Sequence, residues 1–480
     1  MNISTDPGSG FTHDVIVIGG GPAGMSAAMT AAEYGCKVAL LDEQPRPGGQ
    51  IYRNVTRAPA ALRELLGPDY QRGSGLAERL QRSGVECHFD TTVWDVGQDL
   101  TVTAQCHGRS TQLRPRQLIA ATGAMERPSP IPGWTLPGVL NAGAAQILLK
   151  SSGTVPSGAT VLVGGGPLLL LVACQLLDAG ARVAALVQTT PTSNLLRALP
   201  HLGRASLTPS YLAKGAGLLQ KLKRAGVPFY RDAREIRIEG ESGVSALTFR
   251  AGGTCVSIAA DAVLLHHGVV PNTQLARLLR LEHRWDDTQL AWQPCVDAWF
   301  ETSLPGLRIP GDGASIAGAL AAEASGALAA LGAAAAIGRV DCSTQEREAR
   351  AWRKLLRKHS RVRRFLDELY RPPEWLVAPP DETIVCRCEE VDAGTIRHMA
   401  ILGCQGPNQT KFFSRCGMGP CQGRQCAITV SQMLARAHFK SVQEVGSYRI
   451  RPPLKPIPLG SIAALASPSV SRSACKEEFE

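Results

Sequence analysis

A unit of strand, glycine turn, helix and strand occurs twice in this chain and restricts the folds open to it. The first copy, "HDVIVIGGGPAGMSAAMTAAEYGCKVALLDEQ" from His13, places Gly19, Gly21 and Gly24 in a G-x-G-x-x-G pattern. The first glycine permits a tight turn, the second a close approach to a pyrophosphate, and the third close packing of helix and strand. The continuous apolar strand before the turn is typical of a buried parallel sheet. The sequence therefore predicts an α/β fold with Rossmann-like dinucleotide-binding domains.

The first copy also supplies a group for a ribose. Its second strand, "KVALLD", ends at Asp42, whose carboxylate can accept hydrogen bonds from ribose hydroxyls, and Glu43 beside it could serve instead. The helix N-terminus offers free N–H groups and the positive end of its dipole to phosphates. We interpret this unit as the binding site of a dinucleotide.

The second copy, from Ala159, departs from the pattern. Gly164 and Gly166 fill the first two glycine places, but Leu169 stands at the third, and the following strand ends at Gln188 without a carboxylate. We expect the leucine side chain to hold helix and strand apart or to tilt them. Three possibilities stay open: use of NAD(P)H, a purely structural domain, or binding of another nucleotide.

Six of the 14 cysteines lie in a short C-terminal stretch, residues 386–426. Four of them form a C-x-C pair and a C-x-x-x-x-C pair separated by 32 residues, and we predict these four as metal ligands: Cys386, Cys388, Cys421 and Cys426. Four thiolates suit a [2Fe–2S] cluster, and they also suit a closed zinc site. Cys416 competes with Cys426 as the fourth ligand, whereas Cys404 is expected not to bind metal.

Charge and hydropathy exclude several other classes. The net charge of +10 is concentrated in residues 345–364, which contain nine Arg or Lys and two Glu. The spacing of apolar and charged residues in this segment predicts an amphipathic helix with a solvated basic face. No recognised nucleic-acid module accompanies that charge, so no nucleic-acid partner is expected.

The Ala/Gly-rich run from Gly313 carries Glu323 and predicts a buried helix, with at most peripheral membrane association. The polar N-terminal segment shows no secretory signal, so a cytoplasmic location is expected.

Three further stretches carry a resemblance. "LIAATGA" contains Thr122 and Gly123, "LRIPGDGASIAGAL" contains Gly311 and Asp312, and "RPGGQIY" contains Gly49 and Gln50. With the two glycine turns they resemble the FAD/NAD(P) disulfide-reductase-like superfamily of flavoproteins. The resemblance implies FAD, flanked by the first two stretches and with the third near the isoalloxazine. The chain has no C-x-x-C or C-x-x-x-x-C between the first strand and Cys386, which argues against a disulfide-reductase mechanism.

Two neighbouring histidines end the strand "DAVLLHHGVVPN". His266 and His267 could belong to an active site, or they could be ordinary strand-end residues. We favour the second interpretation, with one side chain pointing inward and the other outward.

The C-terminal motifs "CRCEEV" and "GMGPCQGRQC" resemble the [2Fe–2S] domain of bacterioferritin-associated ferredoxin. Together with "DEQPRPGGQIYR", "PGWTLPGV" and "RPPLKPIPLG", they make the whole chain resemble the electron-transfer alpha subunits of heteromeric bacterial dehydrogenases. These oxidise opines, proline, D-hydroxyproline or, in hydrogen cyanide synthase, glycine. The resemblance implies that the partner is an amino-acid-oxidase-like flavoprotein (beta) subunit, with a small third subunit being a further candidate. It also implies a quinone or a soluble carrier as electron acceptor.

The predicted function is therefore an oxidoreductase subunit that relays electrons from the partner through FAD and [2Fe–2S]. No catalytic acid or base is predicted. Two alternatives remain, a self-contained NAD(P)H-dependent reductase and a non-catalytic scaffold. The predicted organisation is an FAD domain (1–150, returning at 286–340), a degenerate nucleotide domain (151–285), a basic linker helix (341–380), the [2Fe–2S] domain (381–436) and a proline-rich tail (437–480).

Overall fold

The computed structural model describes residues 11–463 and Leu465. Most of the N-terminal segment that carries the prediction of a cytoplasmic location, and the end of the proline-rich tail, lie outside the described residues. The strands are β1 His13–Ile18, β2 Val38–Leu41, β3 Glu86–His88, β4 Thr91–Val96, β5 Val102–Cys106, β6 Arg109–Leu113, β7 Pro115–Ala120, β8 Ala124–Glu126, β9 Val139–Asn141, β10 Thr160–Gly164, β11 Val183–Gln188, β12 Phe229–Tyr230, β13 Arg234–Glu239, β14 Ala246–Ala251, β15 Thr254–Ala259, β16 Ala262–His266, β17 Val269–Pro271, β18 His283–Asp286, β19 Ala291–Pro294, β20 Leu307–Arg308, β21 Ile384–Cys386 and β22 Val391–Asp392.

The helices alternate with these strands in the first two thirds of the chain and dominate the last third. They are α1 Pro22–Glu33, α2 Ala60–Leu66, α3 Pro68–Gln81, α4 Ala142–Ser152, α5 Pro167–Asp178, α6 Asn194–Ala198, α7 Leu202–Ala205, α8 Pro209–Arg224, α9 Gln274–Leu278, α10 Ala319–Ala336, α11 Cys342–Ser360, α12 Arg363–Leu369, α13 Ala393–Ile401, α14 Pro407–Ser414, α15 Ala427–Ala437, α16 Val442–Val445 and α17 Leu459–Ala463.

The first domain is built on a five-stranded parallel sheet in the order β20-β7-β1-β2-β3. Its last strand, β20, comes from the predicted return segment. The antiparallel sheet β4-β5-β6 follows β3 along the chain. Because β1 is central and fully apolar in its second half, its side chains form core on both faces, as the continuous hydrophobic run predicts.

Helix α10 packs on α1 in the centre of this domain. A Cβ on Gly326 would lie only 2.0 Å from the carbonyl oxygen of Ala23, so the two helices meet at a point where α10 has no side chain. Among the described residues, α10 alone is long and apolar enough to cross a bilayer, and 78% of it is buried inside the protein. The prediction of a buried helix is confirmed.

The second domain repeats the plan with the sheet order β12-β11-β10-β16-β9 and an antiparallel sheet β13-β14-β15. Its edge strand β9 lies in residues 139–141, so this sheet crosses the predicted boundary at residue 150. Helix α4 leads from β9 back to the first domain, where the buried Lys150 Nζ donates to the carbonyl oxygen of Gln50 (3.1 Å) and to Gln146 Oε1 (2.9 Å). Burial lowers the pKa of Lys150 to about 7.

The predicted linker helix consists of two helices, α11 and α12, with a break at Arg361–Val362. The small C-terminal domain follows, made of the β21-β22 hairpin and helices α13 to α16. The chain then returns across the first domain, because the Leu454 N–H donates to the carbonyl oxygen of Trp94 (2.6 Å) and Ser461 Oγ to that of Gly108 (3.1 Å). The described part of the proline-rich tail is thus packed against the first domain.

Candidate nucleotide and metal sites

The first glycine turn is built without room for side chains. Gly19 has φ +101° and a Cβ there would lie 2.5 Å from the carbonyl oxygen of Ala121. A Cβ on Gly24 would lie 1.7 Å from the carbonyl oxygen of Gly19. Helix α1 therefore begins directly against β1, and its first backbone hydrogen bond, from Met25 N to the Gly21 oxygen, has the ordinary length of 2.9 Å.

The loop predicted to lie near the isoalloxazine contacts this turn. The Gly48 N–H donates to the carbonyl oxygen of Gly20 (2.8 Å), and a Cβ on Gly49 would lie 2.8 Å from the Gly21 Cα. The side chain of Gln50, next along the loop, is exposed. Loop and turn thus form one continuous backbone surface.

The two candidate ribose ligands point in different directions. Asp42 is buried, and its carboxylate accepts from the backbone N–H of Gly20 and from that of Gln44 (2.7 Å). Burial raises the pKa of Asp42, and this effect is larger than that of the two hydrogen bonds, which lower the pKa. Glu43 is exposed and forms an ion pair with Lys455 of the C-terminal segment. Asp42 is therefore the acid that faces the glycine turn.

The later motifs reach the same region. Thr122 and Gly123 follow β7, and the carbonyl oxygen of Gly123 accepts from Asn272 N (3.0 Å). Asp312 Oδ1 accepts from the N–H groups of Ala317 (2.8 Å) and Gly318 (3.1 Å) just before α10. A Cβ on Gly311 would lie 2.9 Å from the Cβ of Ala23 in α1. The Gly311–Asp312 turn and the start of α1 are therefore in contact.

These residues fit a dinucleotide. The backbone surface of the turn is bare, and the N-terminus of α1 is not capped by any side chain. Beside Asp42 lies the half-buried guanidinium of Arg53, whose Nε has no hydrogen-bond partner. An unpartnered buried donor next to a phosphate-binding turn suits an anionic ligand. A flavin dinucleotide bound here would be held by this turn, Asp42 and Arg53.

The second glycine turn is looser than the first. The equivalent backbone hydrogen bond at the start of α5, from Leu170 N to the Gly166 oxygen, is stretched to 3.5 Å. Leu169 is fully buried in the core between α5 and the sheet. Gly164 still requires its glycine, because a Cβ would lie 1.8 Å from the carbonyl oxygen of His266. The first hydrogen bond of α5 is thus longer than that of α1, whereas the predicted effect of Leu169 on the packing of helix and strand stays a prediction.

The linker covers the second turn. A Cβ on Gly165 would lie 2.3 Å from Thr190 Oγ1 and 3.8 Å from the ring of Tyr370. Tyr370 follows α12, which packs on α6, and Asn194 Nδ2 donates to the carbonyl oxygen of Arg371 (2.9 Å). Thr190 and the ring of Tyr370 therefore lie beside Gly165 in the second turn.

The histidine pair at the end of β16 differs from the prediction, because both side chains are buried. His266 Nδ1 lies 2.7 Å from Glu126 Oε1, and its Nε2 faces Gly166. His267 Nδ1 lies 2.8 Å from Ser129 Oγ, and burial lowers the pKa of His267 to about 3. The chain turns directly after β16, so strict strand alternation does not apply to them.

Five of the six C-terminal cysteines converge. The Sγ atoms of Cys386, Cys416 and Cys426 lie within 4.8 Å of one another, and all three residues are buried. Beside this group the side chains of Cys388 and Cys421 hydrogen-bond to each other. Of the four predicted ligands, Cys386 and Cys426 lie in the buried group together with Cys416, whereas Cys388 and Cys421 form a neighbouring pair, so the choice of ligands stays a prediction. Cys404 is buried apart from this group, where its carbonyl oxygen lies 2.8 Å from His438 Nε2.

The cysteine group has the chemistry that a soft metal centre requires. Hydrogen bonds from the Cys416 and Cys426 thiols lower the pKa of Cys386, which favours the thiolate form that soft metals bind. The Gly417 N–H also donates to Cys386 Sγ (3.4 Å). A Cβ on Gly419 would lie 2.3 Å from the Cβ of Cys388, so the loop approaches the C-x-C pair only because it carries glycine. The residues fit an iron–sulfur cluster and fit zinc equally.

A tyrosine closes one side of the cysteine group. The buried Tyr448 OH donates to Cys416 Sγ (3.4 Å). Its ring fills the space beside Gly417 and Gly423, where a Cβ would lie 2.6 Å and 2.5 Å from ring atoms. The sequence prediction missed the contacts of Tyr448 and Lys455, since both lie in a segment classed as tail, and the stretch "RPPLKPIPLG" that contains Lys455 was used only for the family resemblance.

The comparisons with known proteins agree with this geometry. A family model described as Pyridine nucleotide-disulphide oxidoreductase matches residues 13–330, and one described as Sarcosine oxidase A3 domain matches residues 382–466. The A subunit of opine oxidase from Agrobacterium tumefaciens (strain Ach5) is 45% identical over 94% of this chain and 92% of its own length. The HcnB subunit of hydrogen cyanide synthase from Pseudomonas aeruginosa is 33% identical over 94% of this chain and 98% of its own length.

Among solved structures, L-proline dehydrogenase from P. horikoshii has the same fold, with a TM-score of 0.69, 18% identity and coverage of 94% of this chain and 79% of that chain. The fold and the first glycine turn thus define a flavoprotein-type oxidoreductase with two dinucleotide-binding domains. More narrowly, the chain belongs to the family of the opine oxidase A subunits. The predicted fold class and family are confirmed.

Replacing Lys455 with Met should weaken FAD retention. Lys455 pairs with Glu43 and is one of two cations near Asp42, so its loss leaves Glu43 unpaired and Arg53 as the remaining cation beside a phosphate site. For a partly exposed ion pair we expect the Kd for FAD to rise about two- to five-fold. The measurement is flavin fluorescence during titration of the deflavinated full-length chain.

The matched control is Lys440→Met, which removes an exposed lysine that donates only to Gln405 Oε1. Lys455→Arg should retain the affinity of the natural chain. Equal FAD affinity in Lys455→Met and Lys440→Met would refute the role of Lys455.

Proposed function

We propose that this chain is the electron-transfer subunit of a heteromeric flavin enzyme that oxidises an amino acid or an opine. Family membership supports the coarser statement, that it is a subunit of a flavin-dependent oxidoreductase of this kind. The finer proposal is that electrons removed from the substrate by a partner flavoprotein subunit enter this chain. They leave through its cysteine centre to a quinone or a soluble carrier.

The convergence of the cysteine thiols beside the first domain carries this proposal. A flavin, when bound, accepts two electrons and releases them singly, and a [2Fe–2S] cluster accepts one electron at a time. The C-terminal segment links the two candidate centres directly, because Tyr448 contacts Cys416 and, seven residues later, Lys455 contacts Glu43. One segment therefore contacts both candidate sites, which supports a relay between them.

The covered second turn argues against the self-contained NAD(P)H reductase. The stretched first turn of α5, the ring of Tyr370 near Gly165 and the absence of a carboxylate at Gln188 each oppose binding of a pyridine dinucleotide. We infer that this domain is structural or holds another ligand.

The surface of the C-terminal domain supports a partner subunit. Large apolar side chains are exposed on α13, α14 and the loop after α15: Ile401 82%, Leu402 65%, Phe412 75%, Phe413 68% and Phe439 98%. Exposed apolar groups of this kind mark protein interfaces. We propose that the partner flavoprotein subunit covers them, which disfavours an isolated enzyme.

Single Cys→Ser variants should separate ligands from neighbours. We expect Cys386→Ser, Cys388→Ser, Cys421→Ser and Cys426→Ser each to abolish bound iron and acid-labile sulfide, because each removes one of four thiolates. Cys416→Ser should keep both, and so should the control Cys404→Ser. Metal and sulfide analysis of the chain purified without oxygen is the measurement.

Zinc without sulfide in the natural chain would contradict the [2Fe–2S] assignment. If Cys416→Ser loses iron and Cys426→Ser retains it, the fourth ligand is Cys416 and not Cys426.

The visible absorption of the anaerobic chain tests the direction of electron entry. With the second turn covered, NADH should leave the flavin and iron–sulfur bands unchanged, whereas dithionite should bleach both. Bleaching by NADH at catalytic rates would favour the self-contained reductase. Bands that resist dithionite would favour the scaffold.

A further inference from the structure

A small cavity with both apolar and polar lining lies between the first domain and the C-terminal domain. The centre of a water-sized sphere can occupy about 40 Å³ of it, so the cavity admits small molecules. One wall is formed by residues after β17 and by β19, and the other by α15 and the segment around Tyr448. The lining residues used below are Gln274, Arg277, Trp292, Arg424 and Tyr448.

Three side chains of the first wall have buried polar atoms without a hydrogen-bond partner: Arg277 Nη2, Trp292 Nε1 and Gln274 Oε1. Trp292 and Gln274 are 6% and 8% exposed. Rotation of the Gln274 amide exchanges its oxygen and nitrogen, so it can present a donor. One small cavity therefore collects up to three unused donors, although buried polar groups are normally paired.

The charge in the cavity is positive and uncompensated. Arg277 Nε donates to Thr273 Oγ1 (3.1 Å), and its guanidinium lies 4.9 Å from the centre of the Trp292 ring. No carboxylate of the described residues is within ion-pairing distance of Arg277, and none lines the cavity. On the opposite wall Arg424 is held by the carbonyl oxygens of Cys421 and Leu454. Burial of an unpaired guanidinium destabilises the folded protein unless an anion pairs with it.

We propose that this cavity is a binding site for a small oxyanion, the carboxylate or phosphate group of a ligand. Arg277 supplies the charge, and the Trp292 N–H and the Gln274 amide supply the remaining donors. Charge-assisted hydrogen bonds from a guanidinium are stronger than hydrogen bonds between neutral groups, so Arg277 contributes most of the affinity for the anion. The occupant lies one side chain from the cysteine group, because Tyr448 lines the cavity and donates to Cys416 Sγ.

The site is independent of the proposed electron path, and its test requires neither cofactor to be active. Inorganic phosphate and acetate are titrated separately into the full-length purified chain, with isothermal titration calorimetry as the readout. The natural chain should show saturable binding of at least one probe. Arg277→Gln should weaken that binding at least ten-fold.

Arg280→Gln is the matched control, since Arg280 is an exposed arginine three residues later, outside the cavity. It should bind like the natural chain. Trp292→Phe keeps an aromatic ring and removes the N–H, and a loss of binding of several-fold in this variant supports the site even where Arg277→Gln does not fold.

Preference for phosphate would support a phosphate ester as the natural ligand, and preference for acetate a carboxylate. Absence of saturable binding of both probes to the natural chain would overturn the proposal. Equal binding by the natural chain, Arg277→Gln and Trp292→Phe would overturn it as well.

Discussion

The close approach of backbones around Gly19–Gly24 is the constraint on which the rest of the first domain depends. Gly24 meets the Gly19 carbonyl, Gly49 meets Gly21, and Gly311 and Gly326 both meet Ala23. A strand, a loop, a turn and helix α10 thus converge on one short stretch of chain, each at a point without a side chain. Because these contacts leave no free space, a Cβ at any of them would displace the elements that form the cofactor site.

The second domain lacks one of the corresponding glycines. Leu169 replaces the third glycine, the first hydrogen bond of α5 is 3.5 Å where that of α1 is 2.9 Å, and Tyr370 of the linker lies over the turn. The second copy of the unit has the same sheet and the same fold. It differs from the first copy at the third glycine and in the side chains beside the turn, and these differences are the basis for proposing ligand binding at the first copy alone.

Local patterns predicted most of this architecture. The two glycine turns, the continuous apolar strands and the alanine-rich helix α10 are determined by residues near in sequence, and their predictions agree with the structure. The contribution of Tyr448 and Lys455 could not be predicted, because each meets its partner across 32 or more residues. The position of Tyr370 beside the second turn likewise could not be predicted, because it depends on how α12 packs on α6. The burial of both His266 and His267 depends on the turn after β16.

The central claim is that electrons from the substrate pass through this chain. The most direct measurement is rapid anaerobic mixing of the assembled natural complex with the opine or amino acid that it oxidises, following the iron–sulfur absorption and its electron paramagnetic resonance signal. The account predicts that the cluster in this chain is reduced at least as fast as the complex turns over. Steady turnover with a cluster that stays oxidised, or is reduced more slowly than turnover, would contradict it.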